Sequence, residues 1–131
     1  MKKILLSLLI GVGVLAMASC TKNYAVIPNQ TVYADIKTSD WGAYSNGLTD
    51  TVMIYPQKGS NFGAGSDGIL VYLTFDGGNT YEQIPYVFDN RNYSYVYDKG
   101  AIQLFVQSSD GTKPITAPAP LTAKIVLVPS N

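Results

Sequence analysis

The chain has 131 residues, a formal net charge of zero, one cysteine, no histidine and 11% aromatic residues. That length suits one domain with a core of useful size. Scattered, balanced charge excludes a basic nucleic-acid surface, and the missing histidine removes the commonest general base and metal ligand.

Met1-Lys2-Lys3 opens the chain with positive charge, followed by an apolar run from Ile4 to Ala18. Ala16, Ala18 and Ser19 then lead into Cys20. A charged start, an apolar middle and a small-residue end form the anatomy of a secretory signal. The apolar run is about fifteen residues, short of the roughly 20 that cross a bilayer, and no second run of that length follows. Leu15-Ala16-Met17-Ala18-Ser19-Cys20 resembles a lipobox, where the signal is cut before the cysteine and lipid is joined to its sulfur; Met17 stands where Leu is commonest. The expected organisation is a signal peptide over 1–19, helical in the precursor, then a lipidated Cys20 and tether over 20–30, then one domain over 31–131. A plain cleaved signal is the alternative. A lipidated Cys20, carrying diacylglycerol and palmitate, is neither nucleophile nor disulfide partner, so the fold relies on its core. The mature part keeps seven Lys plus Arg against nine Asp plus Glu.

Pro28-Asn29 ends the tether, and period-two alternation begins. Val32, Ala34 and Ile36 face one way, with Tyr33, Asp35 and Lys37 opposite. A short strand over 51–55 carries Val52 and Ile54 and stops at Pro56. Residues 69–75 are apolar on both faces, which predicts a central strand covered on both sides. Asp76-Gly77-Gly78-Asn79 supplies the positive-φ residues of a tight hairpin. A strand over 80–88 follows, where Pro85 predicts an edge or a bulge. Asp89-Asn90-Arg91 turns into 92–97, and Asp98-Lys99-Gly100 turns into 101–107. Lys113 to Pro120, with three prolines, predicts an extended crossover between sheets. The last strand, 121–128, sets Leu121, Ala123, Ile125 and Leu127 on one face. About seven short strands with Gly, Asn, Asp and Pro between them predict an all-β, antiparallel two-sheet sandwich, immunoglobulin-like or similar. Its expected core includes Ile69, Val71, Leu73, Ile102, Leu104, Val106, Ile125 and Leu127.

Thr74-Phe75-Asp76-Gly77-Gly78-Asn79-Thr80-Tyr81 resembles the Asp-box, Ser/Thr-x-Asp-x-Gly-x-Thr-aromatic, found on hairpins of sialidases and other β proteins. The expected role is structural: Asp76 caps backbone donors of the turn, with Gly78, Thr80 and Tyr81 completing it. A sialidase would carry several boxes and an arginine cluster; this chain has one box and only Arg91. Without histidine or a free thiolate, the chain lacks the usual nucleophile–base pairs and Cys/His zinc sites. Glu82 and the aspartates offer carboxylates, but most of these lie in turns, where Asp serves the backbone. The loops 61–68 and 89–92 are oxygen-rich yet lack the carboxylate spacing of a calcium loop. No enzyme, no cofactor and no metal is the expectation, with a hydrolase built on Glu82 and turn aspartates as the trailing alternative.

Aromatic residues are the stronger functional signal. Tyr93, Tyr95 and Tyr97 share one face of a strand, and Trp41 is grouped with them. Exposed, the four would form a platform for stacking against sugar rings or anchoring a protein. Buried, they would close the sandwich with hydroxyls at its rim, which is the favoured reading.

Ser39-Asp40-Trp41, Val71-Tyr72-Leu73 before Asp76-Gly77-Gly78, Ile84-Pro85-Tyr86, Tyr93-Ser94-Tyr95 and Lys124-Ile125-Val126-Leu127-Val128 together resemble small secreted lipoproteins of the Bacteroidetes over most of 31–128. The resemblance implies a lipid-anchored outer-membrane protein and assigns no activity. In that group, acidic residues after the lipidated cysteine accompany export to the surface. Thr21-Lys22-Asn23 stand there instead, which points to the periplasmic face. Asp50-Thr51-Val52 also matches the group's O-glycosylation pattern, with Thr51 as the acceptor. The expected function is a non-enzymatic binding or structural role in the cell envelope, on an envelope protein or glycan and not on nucleic acid. The alternative is a glycan-binding module on the aromatic platform.

Overall fold

A computed structural model describes residues 28–44, 47–56, 67–98 and 100–130. Cys20 and the signal segment lie outside the described residues. Within them the chain is an antiparallel two-sheet sandwich. The strands are β1 (Gln30–Ile36), β2 (Gly42–Tyr44), β3 (Thr49–Ile54), β4 (Gly68–Thr74), β5 (Glu82–Gln83), β6 (Tyr86–Phe88), β7 (Arg91–Asp98), β8 (Ala101–Ser108) and β9 (Leu121–Val128). One sheet has the order β1-β9-β4-β5, the other β2-β3-β8-β7-β6.

Alternating side chains build the core from both inner faces. Val71, Leu73, Ile125 and Ala123 of one sheet meet Ile102, Leu104 and Val106 of the other, all essentially without solvent contact. The eight residues expected in the core are buried. The opposite face of β9, Thr122, Lys124 and Val126, is half-buried, as period two requires.

The expected strand over 80–88 is divided. Its halves, β5 and β6, belong to different sheets. Ile84 and Pro85, joined by a cis peptide bond, form the corner between them, and Ile84 is buried there. Pro85 thus marks a change of sheet rather than a bulge in one. β2 escaped the sequence reading because three residues are too few to show a period. This 3-residue strand follows a single 3-10 turn, Thr38–Asp40, in which the Asp40 carboxylate accepts the Lys37 amide at 2.8 Å.

Residues 69–75 are not covered on both sides. Leu70 and Tyr72 stay half-buried on the outer face, and the strand ends at Thr74. Phe75 leaves the strand and closes one end of the sandwich, stacking on Phe88 at 4.2 Å and tilting against Tyr93 at 5.2 Å. Asp89 and Asn90 both take positive φ in the two-residue turn between β6 and β7, the geometry that matches strand twist in a tight hairpin. The proline-rich 113–120 segment forms no strand and carries the chain from β8 to β9, hence from one sheet to the other.

Candidate functional site: two tyrosine rows

The four residues of the expected platform do not share a surface. Tyr93 is 2% exposed and Trp41 8%. Both belong to the core, and the Trp41 Nε1 is the buried side-chain polar atom without a hydrogen-bond partner among the described residues. Burial pushes the Tyr93 hydroxyl's pKa up, opposed by the neighbouring Arg91. Only Tyr97 is well exposed. As a flat stacking platform the set is therefore lost, because the odd residues of β7 face the opposite sheet and only the last of them, Tyr97, reaches water.

What Tyr95 and Tyr97 do instead follows from the edge of β4. The short β5 pairs only with Tyr72 and Leu73, so the start of β4 has no strand beside it on that side. Asp67, Ile69 and Val71 are alternate residues, and their carbonyls point toward this edge. Each is met by a different donor. The Tyr97 hydroxyl donates to the Asp67 carbonyl at 3.3 Å, the Tyr95 hydroxyl to the Ile69 carbonyl at 2.6 Å, and the Ile84 amide to the Val71 carbonyl at 3.0 Å. Burial raises the Tyr95 hydroxyl's pKa. The Tyr95 phenol thus satisfies a carbonyl that a neighbouring strand would otherwise take. Unpaired edges invite pairing with other chains; here side chains from the opposite sheet occupy this one.

The second row lies on an outer face, with Tyr33 and Gln83 exposed and Lys124 and Tyr72 half-buried. On the outer face of the four-stranded sheet, strand register places Tyr33 of β1 beside Lys124 of β9, Lys124 beside Tyr72 of β4, and Tyr72 beside Gln83 of β5. The Lys124 ammonium lies 5.7 Å from the Tyr72 ring centroid and 5.6 Å from that of Tyr81. Both distances fit a cation held by ring quadrupoles. Tyr33 meets Tyr81 in an edge contact at 6.3 Å and 62°, so the two rings form a corner, and Tyr33 is itself 58% exposed. Among the described residues no carboxylate pairs with Lys124. Asp35, on the same face, accepts the Thr122 hydroxyl at 2.7 Å.

Tyr81 is held in this row by the Asp-box. The Asp76 carboxylate accepts the Thr80 amide at 2.9 Å, the Thr80 hydroxyl at 2.7 Å and the Thr74 hydroxyl at 2.9 Å. The Thr74 oxygen in turn accepts the Gly78 amide at 2.8 Å. These donors hold the Asp76 carboxyl down at about 2. Gly78 has φ +96°, and a Cβ there would stand 3.4 Å from the Tyr81 hydroxyl. The turn needs glycine for its backbone, while a Cβ would only touch the hydroxyl of the ring.

Thr51 sits half-buried on β3, opposite Gly42 and Phe105. Its neighbours Asp50 and Val52 are buried. Among the described residues no cluster of His, Cys, Asp or Glu could hold a metal, and no helix is long and apolar enough to cross a membrane. The sequence reading missed the Tyr33–Lys124–Tyr72–Gln83 row, since its members are far apart in the chain and become neighbours only through register. The one available signal was Tyr33 and Lys124 each lying on the polar side of an alternating strand. No family model, curated protein or solved structure matches the chain.

Proposed function

We propose that this chain is a lipid-anchored domain of the bacterial cell envelope, attached through Cys20, with a non-enzymatic binding role. The outer membrane's periplasmic side is its station, and the outer face of the four-stranded sheet is its binding surface. The basic start, apolar run and Cys20 support the anchor, and two or more acyl chains give a durable hold where one is marginal. The observation that carries the binding surface is the Tyr33–Lys124–Tyr72–Gln83 row: an exposed ring, a half-buried one, an ammonium with no carboxylate partner among the described residues, and an amide, aligned across four strands.

Binding at this face is favoured over catalysis because rings and a cation recognise a partner without offering a nucleophile or a general base. A glycan module on Trp41, Tyr93, Tyr95 and Tyr97 is not favoured, since two of those rings lie in the core and a third spans the sheets. The test is crosslinking in intact cells with the full chain, read by mass spectrometry, together with intact mass of the membrane-extracted protein. Mass should begin at an acylated Cys20, and one reproducible crosslinked component should disappear in a Tyr33→Ala/Tyr81→Ala double variant. A soluble protein beginning elsewhere, or crosslinks indifferent to the double variant, would overturn the proposal.

A further inference from the structure

We infer that the outer-face row is a subsite for a carboxylated saccharide, with Lys124 receiving the carboxylate and Tyr33 receiving a sugar ring. This rests on the binding surface proposed above and adds its ligand class.

The ammonium is the starting point. A surface lysine ordinarily extends into water or meets an acid. Lys124 instead lies over two rings, and no carboxylate among the described residues neutralises it. Ring faces hold a cation while leaving its N–H donors free to meet an anion from the solvent side. Asp35, the acid on the same face, is engaged by Thr122. A single fixed ammonium suits one carboxylate. Nucleic acid or an anionic bilayer would need several cations in register.

The rings specify the rest of the ligand. Tyr33 presents an exposed face, and Tyr81 rises beside it at 62°. Such a corner accepts the flat C–H face of a pyranose on one ring while the second walls its edge. Tyrosine hydroxyls and the exposed Gln83 amide supply donors and acceptors for sugar hydroxyls. Four adjacent strands at about 4.8 Å spacing span about 14 Å, which is room for a short oligosaccharide. An acidic peptide would satisfy the ammonium but has no use for a stacking corner, so it serves as a competitor in the test.

The experiment titrates the full chain in detergent with de-esterified oligogalacturonide, its neutral methyl ester and oligoglutamate, monitored by calorimetry. Oligogalacturonide should bind. The methyl ester and the Lys124→Met variant, which keeps the aliphatic stem, should each lose about tenfold in affinity or more, equal to about 1.4 kcal/mol. Tyr33→Ala, an exposed position, should lose at least severalfold, whereas Lys113→Met on the distant 113–120 segment should leave binding unchanged. Unfolded Lys124→Met would be recognised by circular dichroism, leaving Tyr33→Ala and the methyl ester to decide. Absence of oligogalacturonide binding at millimolar concentration, equal binding of the methyl ester, or equal binding of oligoglutamate would overturn the inference. An envelope protein captured through Tyr33 without saccharide binding would overturn the saccharide alone and keep the binding surface.

Discussion

Replacing Tyr95 by Phe removes one oxygen and leaves the ring in place, so it isolates what the hydroxyl does at the edge of β4. That oxygen donates to the Ile69 carbonyl at 2.6 Å. Without it the Ile69 carbonyl loses its partner at a half-buried site. A net hydrogen bond is worth about 0.5–1.5 kcal/mol, and a stranded buried group costs about 1–3 kcal/mol. Water reaches a half-buried edge in part, which brings the expected loss to about 1–2 kcal/mol. Tyr97→Phe provides the comparison, because its bond to Asp67 is longer, 3.3 Å, and exposed; its loss should stay below about 0.5 kcal/mol. Urea denaturation followed by tryptophan fluorescence measures both, since Trp41 is the only tryptophan and lies in the core. Tyr95→Phe should lower the midpoint with an unchanged slope. A loss under about 0.5 kcal/mol, or equal losses for the two variants, would refute the edge-capping role.

Leu104, 1% exposed between the sheets, should cost about 2–5 kcal/mol on truncation to Ala, measured by the same denaturation; a value near zero would place that face in solvent. Asp76 and Asp110 are both held at about 2, each by backbone and hydroxyl donors. Because these folded values lie below the ordinary 3.8, their contribution is present above about 3.8 and is lost as pH falls toward about 2. The urea midpoint should therefore drop across that window, and Asp76→Asn should be less stable at neutral pH with a shallower acid dependence. Tyr95 titrates above its usual value of 10.0, so its contribution persists below that pH and should fade as the hydroxyl ionises at higher pH, a fading absent from Tyr95→Phe. Gly78→Ala should destabilise the Asp-box turn and lower the urea midpoint, since the backbone there is left-handed.

The sandwich was legible because most strands bury one face, and burying one face writes period two into the sequence. The Asp-box was equally legible, since the whole turn lies within eight consecutive residues. The sheet change at Ile84–Pro85 was hidden: alternation records which face is buried but not which sheet a strand joins. Tyr93, Tyr95 and Tyr97 were seen as one stripe, yet their fates depend on depth along the sandwich, from buried Tyr93 to exposed Tyr97. The outer-face row was beyond reach for a related reason. Tyr33 and Lys124 are ninety-one positions apart, and only the antiparallel register of β1 and β9 makes them neighbours.

The most direct test of the binding surface places the photo-crosslinking residue p-benzoylphenylalanine at position 33 or at position 96 of the full chain, in living cells. Val96 is 55% exposed on the outer face of the other sheet, so the two positions sample opposite sides of the sandwich with similar solvent access. Illumination should give a discrete adduct from position 33 and none from position 96. An adduct from position 96 alone, or equal adducts from both, would contradict the account.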